Sequence, residues 1–247
     1  MGYTLECCVD SVESAIAAKK GGADRIELCS ALVIGGLSPS QALYRKIREQ
    51  VDIQIRVLLR PRFGDFCYTD FEHEILKEEI RSFRKLGADG IVIGTMKPDG
   101  TLNLEQMKEL MEEAQGMPVT LHRAFDMCKD PFVTLEEAKK LGISTILTSG
   151  QKNTCVDGVE LLKELVEKAQ GETEILIGGG VDASVLPMLS EKTKAKAYHM
   201  SGKISMESEM RYRKQDVSMG VASVSEYEIW RTSEKRVREA RKVLEQL

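Results

Sequence analysis

The stretch Arg84-Lys85-Leu86-Gly87-Ala88-Asp89-Gly90-Ile91-Val92-Ile93 contains the clearest structural pattern of the chain. A charged, helix-favouring run leads into a glycine, the residue most often found just past a helix end, and then into a short β-branched run typical of a buried strand. Related patterns occupy 19–28 and 139–147. Their glycines at 22, 87 and 142 lie 65 and 55 residues apart. This spacing is about two β/α units of roughly 30 residues each, and it predicts alternating helices and strands.

Together with these three copies of the pattern, the rest of the sequence predicts eight strands separated by helices. The strands are expected at about 3–9, 24–30, 53–60, 89–94, 118–123, 143–149, 174–179 and 195–200. The helical patterns include 11–20, 40–50, 70–86, 103–115, 132–141 and 157–169. Eight such strands predict an α/β fold of the (β/α)8 TIM-barrel type, with an open doubly wound sheet as the alternative.

The length of the chain suits one barrel without a second domain. We expect 1–247 to form a single domain, because barrels of this type commonly have about 250 residues. Its last unit is irregular: 203–229 is polar and loop-like, and a charged helix follows at about 231–246. Active sites of this fold lie at the C-terminal ends of the strands, so the residues that end strands are the candidates for function.

Composition excludes several classes of partner. With 42% hydrophobic and 30% charged residues, the chain has the composition of an ordinary globular protein, and its net charge of −4 argues against a nucleic-acid partner. No run approaches the roughly 18 apolar residues of a membrane span, and no secretory signal is evident. We therefore expect a cytoplasmic protein with no membrane partner, whose six cysteines are reduced thiols.

Strand alternation predicts an unusually polar barrel interior. Because successive strand residues face opposite sides, the first two strands present the same inward motif, Glu6-x-Cys8 and Glu27-x-Cys29. Buried carboxylates need partners, since desolvation costs several kcal/mol per ion. We expect Arg56 and Arg60 of the third strand to compensate these two glutamates.

The two inward cysteines that end neighbouring strands form a candidate metal site. Neighbouring strands lie about 4.8 Å apart, which suits two thiolates binding one soft ion. Two thiolates without an obvious third ligand favour Cu(I), so Cys8 and Cys29 are candidate copper ligands. The alternative is that both are small core residues.

Other strand ends predict an anion site with acid–base groups. Arg60-Pro61-Arg62 resembles an anion clamp, although these arginines could instead neutralise the buried glutamates. The segment that begins at His122 offers an imidazole, a cation and a carboxylate, with His122 as general base, metal ligand or hydrogen-bonded core residue. Small residues end strands six and seven, where backbone N–H groups can approach an anion. The further candidates are Arg123, Asp126, Thr148, Ser149, Gly150, Gly179, His199 and Ser201.

The order of these motifs resembles that of the copper homeostasis family CutC. The matching stretches are Leu5-Glu6-Cys7-Cys8, 22–29, 35–40, 60–68, 122–128, 147–150 and 210–213, which together extend over nearly the whole chain. The resemblance implies a cytoplasmic barrel, usually a homodimer, that is linked to copper tolerance and proposed to bind Cu(I). The family's proposed ligand cysteines correspond to Cys8 and Cys29.

Two hypotheses about function follow. The first is a Cu(I)-binding homeostasis protein with Cys8 and Cys29 as ligands. The second is an enzyme that holds a small anionic substrate between Arg60, Arg62 and the backbone of 148–150. In that hypothesis acid–base chemistry would come from Glu6, Glu27, His122 or Asp126. A carrier for one soft ion does not need so many inward charges, and this is the reason to consider an enzyme.

Overall fold

Eight parallel strands, hydrogen-bonded in sequence order, close into a barrel in which the eighth strand pairs with the first. The structure is a computed structural model that describes residues 2–217, 219, 221 and 224–247. The strands are β1 Thr4–Val9, β2 Arg25–Leu28, β3 Gln54–Leu58, β4 Gly90–Ile93, β5 Val119–Leu121, β6 Thr145–Thr148, β7 Glu174–Ile177 and β8 Ala197–Met200. The predicted (β/α)8 barrel is confirmed, and closure of the sheet excludes the doubly wound alternative.

Eight helices accompany the strands over the described residues. They are α1 Val12–Gly21, α2 Gln41–Gln50, α3 Asp70–Lys85, α4 Leu104–Ala114, α5 Pro131–Lys140, α6 Val159–Ala169, α7 Leu186–Thr193 and α8 Glu234–Leu244. The glycines of the recurring pattern follow α1, α3 and α5 in the left-handed region, with φ of 95° at Gly22, 80° at Gly87 and 75° at Gly142. Each therefore ends a helix and turns the chain toward the next strand, as the pattern predicts.

The interior has an apolar shell and a polar centre. Side chains on the outer face of the sheet, such as Leu5 and Ile26, pack with the helices in one large buried cluster. Inside the barrel the apolar side chains form two separate small clusters, one around Leu58 and one around Leu176. Buried charged residues, Glu6 among them, occupy the barrel interior as well. The alternation predicted from the sequence is thus observed.

The segment after β8 is more ordered than the sequence predicts. Two antiparallel strands, β9 Lys203–Glu207 and β10 Glu228–Thr232, form a ribbon in which Ser205 lies opposite Trp230. The prediction of a loop over 203–229 is therefore wrong at both ends. The C-terminal helix starts three residues later than predicted, because β10 extends to Thr232.

Across the described ranges, none of the helices combines the length and the apolar character that crossing a bilayer requires.

Candidate functional site

A cavity of about 320 Å³ opens at the C-terminal ends of the strands. This volume is at the lower end of the range for small-molecule pockets. Eight of the predicted site residues line it: Cys8, Glu27, Arg60, His122, Arg123, Gly179, His199 and Ser201. Most of the residues that were predicted from their positions at strand ends therefore meet in this cavity. Residues of the β9–β10 ribbon, including Lys203 and Trp230, complete the wall.

A buried ion-pair network built on Glu6 supports the floor of this cavity. In the strand register, Glu6 lies opposite Arg25 of β2 and His199 of β8. Its carboxylate accepts hydrogen bonds from Arg25 Nε and, at 2.8 Å, from His199 Nδ1. Burial alone would raise the pKa of Glu6, but His199 and the Arg25 charge outweigh it and lower the pKa to about 2. Glu6 is consequently a fixed anion that orients the imidazole.

Arg25 and His199 form the direct ion pairs of Glu6, and the charge of Arg56 acts on it without a direct contact. Arg25 also binds Glu174 at 3.1 Å. Arg56 instead donates to the hydroxyl groups of Thr120 at 2.5 Å and Thr145 at 2.9 Å. The register sets Arg25 beside Glu6 and Arg56 beside Glu27, and the Arg56 charge helps to lower the pKa of both glutamates. The predicted compensation was therefore wrong for Arg60, whose guanidinium binds backbone carbonyl oxygens instead.

Cys8, Glu27 and His199 form a buried cluster with the composition of a metal site. One ligand atom from each lies within 4.8 Å of the other two. Burial, chiefly, raises the pKa of Glu27 to about 7, so its carboxyl group is poised between two protonation states at neutral pH. Burial would lower the pKa of His199, yet interactions with Cys8, Glu6 and Glu27 raise it well above its ordinary value. A metal would replace the protons that this cluster otherwise shares.

Cys29 is completely buried beside this cluster but is not one of its three residues. Its Sγ donates to the carbonyl oxygen of Val9 at 3.4 Å and packs with Leu58 and Val92. Burial, together with the nearby charges of Cys8 and Glu27, raises the pKa of the Cys29 thiol well above its usual range. Binding of a metal by Cys29 would therefore have to displace a firmly held proton.

His122 is a neutral imidazole in the opposite part of the wall. Its Nδ1 accepts the Ala124 N–H at 3.1 Å, so the proton is on Nε2. Burial and then the Arg60 charge lower its pKa to about 3. Within the part of the chain that the structure describes, Nε2 has no hydrogen-bond partner. His122 is thus a buried hydrogen-bond donor that the fold itself does not satisfy.

The two arginines of the predicted anion clamp, Arg60 and Arg62, lie in different surroundings. Arg60 is 8% exposed, lines the cavity and lies over the ring of Phe66 at 4.9 Å. Its terminal nitrogens bind the carbonyl oxygens of Gly36 and Gly64. Arg62 lies outside the cavity lining and forms salt bridges with Asp65 and Glu72. Of these two arginines, only Arg60 therefore lies at the mouth.

Asp126 and the end of β6 form a closed network. The Asp126 carboxylate accepts hydrogen bonds from the Thr148 hydroxyl at 2.5 Å, from Ser149 N–H at 3.1 Å and from Arg123 Nε at 2.7 Å. Gly150 N–H donates to the Thr148 hydroxyl at 2.9 Å. Donors predicted to hold an anionic ligand thus bind the protein's own carboxylate. Only the Arg123 side chain from this group reaches the cavity.

The β9–β10 ribbon supplies site residues that sequence reasoning missed. Lys203 Nζ lies 3.5 Å from the centroid of the Trp230 ring, and both side chains line the cavity. Arg231 and, at the end of β1, Asp10 also line it. Asp10 was also missed, although its position directly after β1 is a strand end of the kind that marks candidate site residues. No local signal marks the ribbon residues, because 203–229 reads as a polar loop.

Comparison with known proteins places this architecture in a family. The model of the CutC family matches residues 3–204. The copper homeostasis protein CutC homologue of Homo sapiens is 42% identical over 96% of this chain and 87% of its own length. The CutC family protein of Bacteroides fragilis is also 42% identical, over 96% of this chain and 95% of its own. The crystal structure of a copper homeostasis protein CutC from Streptococcus agalactiae is 29% identical, with a TM-score of 0.77, and covers 81% of this chain and 98% of that one.

Fold and site together define a (β/α)8-barrel protein with a polar mouth and a buried cluster of thiol, imidazole and carboxyl groups. Phosphoribosylanthranilate isomerase of Thermotoga maritima shares this fold at a TM-score of 0.58 and 12% identity. The chain belongs to the CutC family, whose members include proteins named for copper homeostasis.

Proposed function

We propose that this protein is a copper homeostasis protein that binds Cu(I) at the floor of the mouth, with Cys8 as its principal ligand. The observation that carries the proposal is the buried convergence of Cys8, Glu27 and His199 within 4.8 Å. Thiolate and imidazole groups are ligands that copper accepts. The donor set therefore fits the metal that the names of the relatives indicate.

The surroundings of His199 support this site. Metal-ligating histidines commonly donate their other ring N–H to a carboxylate, which fixes the ring and its tautomer. His199 Nδ1 donates to Glu6 at 2.8 Å, so Nε2 is the atom left to face Cys8 and Glu27. Glu6 is in turn held by Arg25. We assign Cys8 and His199 as ligands, Glu27 as a third ligand or proton acceptor, and Glu6 as the residue that orients the imidazole.

The two-thiolate site that the sequence predicts remains the competing arrangement, with Cys29 in place of His199. Cys8 is common to both, and its Sγ donates to the Met200 carbonyl oxygen at 3.8 Å, whereas Cys29 Sγ donates to the Val9 carbonyl oxygen at the shorter distance of 3.4 Å. The variants Cys29→Ser and His199→Gln therefore discriminate between the two arrangements.

The test is an anaerobic Cu(I) competition titration of the wild type and single variants. We expect Cys8→Ser to weaken binding at least about 100-fold and His199→Gln about 10- to 100-fold. Cys29→Ser should have a smaller effect. Cys7→Ser is the matched control, because Cys7 is equally buried but packs in the cluster between sheet and helices. Wild-type affinity in Cys8→Ser would refute the proposed site.

A second function, an enzyme acting on a small anionic substrate, is favoured by the size and chemistry of the cavity. A volume of about 320 Å³ is far more than one ion needs. A carboxyl group with a pKa of about 7, as at Glu27, is suited to proton transfer at neutral pH. Its test is an NMR screen for turnover of small anionic metabolites. Any turnover should disappear in Glu27→Gln and persist in Glu79→Gln, whose carboxylate accepts from Ser38 and does not line the cavity.

The proposal also includes the cellular setting and the assembly. We place the protein in the cytoplasm, where its six free thiols would stay reduced. We propose a homodimer, as the family resemblance implies. Cell fractionation and light scattering on the purified chain test these two statements.

A further inference from the structure

The adjacent ends of β7 and β8 expose an unusual set of backbone donors. Ile177 pairs with Tyr198, and a Cβ added to Gly178 would lie 3.6 Å from His199 Cβ, so Gly179 and Gly180 follow one strand end and Ser201 follows its neighbour. Gly179 and Gly180 both have φ of 87°, a conformation that side chains rarely adopt. Within residues 2–217, 219, 221 and 224–247, neither N–H group donates a hydrogen bond. Both glycines line the cavity, so these donors lie where a ligand would reach them.

Two polar side chains extend this set. The Ser201 hydroxyl oxygen accepts the Lys203 N–H at 3.5 Å, which leaves its own proton available. The Lys203 ammonium group contacts the Trp230 ring and forms no salt bridge with the described residues. Two backbone N–H groups, a hydroxyl and an ammonium group therefore border one end of the cavity. Such a set offers several donors and one positive charge to the acceptor oxygens of a phosphate.

A buried donor elsewhere in the wall independently indicates a ligand. His122 is 4% exposed, and its Nε2–H is unsatisfied among the described residues. A buried donor without an acceptor is unfavourable, so a fold that keeps one in a cavity wall gains from an acceptor supplied by a bound molecule. Arg60, the neighbour of His122 across Phe66, adds a positive charge to this part of the wall.

We propose that the cavity binds a small phosphate monoester, with its phosphate group against Gly179, Gly180, Ser201 and Lys203. The rest of the molecule extends toward His122 and Glu27. Phosphate sites of this barrel fold commonly use the loops after strands seven and eight, and the donors here occupy those positions. The inference rests on the second function proposed above, since it names the class of the anionic substrate.

The experiment measures binding of glycerol 3-phosphate, inorganic phosphate and glycerol by isothermal titration calorimetry. Trp230 is the only tryptophan and lines the cavity, so its fluorescence gives a second readout in the wild type. We expect glycerol 3-phosphate and phosphate to bind and glycerol not to bind. Lys203→Met should weaken phosphate binding at least about tenfold. Lys196→Met is the matched control, because Lys196 Nζ also lies on an aromatic ring, that of Tyr3, but is not part of the cavity lining.

Three results would overturn the inference. The first is equal affinity for glycerol 3-phosphate and glycerol. The second is equal phosphate affinity in Lys203→Met and the wild type. The third is a loss of phosphate affinity in Lys196→Met as large as that in Lys203→Met. Succinate separates this failure from that of the proposed enzyme: succinate binding without phosphate binding removes the phosphate site but leaves an anionic substrate. Cu(I) affinity in Lys203→Met should equal that of the wild type, because Lys203 is outside the metal cluster.

Discussion

His122 illustrates at the scale of one residue how burial determines chemistry in the mouth. Burial, and then the Arg60 charge, lower the pKa of its imidazole to about 3, so the ring is neutral in the folded protein. In the unfolded chain the same group has a pKa near 6.5. The folded state therefore binds fewer protons than the unfolded state between these values, and stability must fall as the pH falls through this window.

His122→Gln should reduce the loss of stability on acidification. From pH 7 to pH 5, protonation of His122 in the unfolded chain costs the wild type about 2 kcal/mol. Urea unfolding at both pH values measures the difference, and the variant should show a drop smaller by about this amount. Because Glu27 contributes equally to both proteins, its opposite effect cancels. Identical drops would mean that His122 is protonated in the folded protein.

Glu27 acts in the opposite direction at the same scale. Its pKa rises from 4.5 to about 7 on folding, mainly through burial. The folded state then binds more protons, so this group destabilises the protein progressively as the pH rises from about 4.5 to 7. Such a cost is consistent with a functional carboxyl group, since a purely structural position could hold an apolar residue more cheaply.

At the scale of the element, helix α8 and the ribbon complete the barrel at opposite ends. The C-terminal helix packs against α1, where Gly21 lies directly against Val237 and Glu234. Arg241 of the same helix donates to the carbonyl oxygens of Gly22 and Tyr3. The ribbon, in contrast, contributes to the mouth. One irregular final unit therefore contacts both the first strand–helix unit and the mouth of the barrel.

Gly21→Ala should destabilise the α1–α8 contact. A Cβ at this position would lie 2.6 Å from Val237 Cβ and 2.9 Å from the Glu234 carbonyl oxygen. We expect a loss of about 1–3 kcal/mol in the free energy of unfolding, despite the better helix propensity of alanine. Urea denaturation checks this, with Gly2→Ala as control because an added Cβ there has no neighbour within 4 Å. Similar stability of the two variants would contradict the proposed close packing.

At the scale of the whole molecule, a charged network joins strands across the barrel interior. Arg25 connects Glu6 of β1 with Glu174 of β7, and His199 of β8 connects Glu6 with Glu27 of β2. Two small apolar clusters fill other parts of the same interior. Polar groups thus replace much of the aliphatic core that this fold ordinarily has, and they extend from the mouth into the centre of the barrel.

Arg25→Met should be among the most destabilising single substitutions in this interior. It leaves His199 as the only directly bonded cationic partner of the buried Glu6 among the described residues, and breaking a buried ion pair typically costs about 3–5 kcal/mol. Lys46→Met breaks an exposed ion pair with Glu49 and should cost less than about 1 kcal/mol. Urea unfolding at pH 7 compares the two. The double variant Arg25→Met/Glu6→Gln should recover part of the loss, and no recovery would show that the charge of Glu6 is not the cause.

The fold and the residues that lie at the mouth could be predicted because both follow from patterns within short stretches of sequence. Helix ends marked by glycine and alternation along each strand place Glu6, Cys8, Glu27 and His199 inside the barrel without knowledge of any contact. Pairing could not be predicted in the same way. Alternation with Glu27 turns Arg25 inward as well, yet its role as partner of Glu6 depends on the register between β1 and β2, which side-chain periodicity alone leaves open.

The sequence by itself determined the closed barrel, the polar character of its interior and the strand ends that supply the candidate site residues. It could do so because side-chain periodicity and helix-ending glycines act over only a few residues. Tertiary structure decided which polar groups are satisfied and which are available. It committed Arg62 and Asp126 to neighbours, brought His199 to Cys8 and Glu27, and added the ribbon to the mouth. The physical reason is that hydrogen-bond partners and desolvation depend on the closed three-dimensional packing of distant segments, which local sequence pattern does not specify.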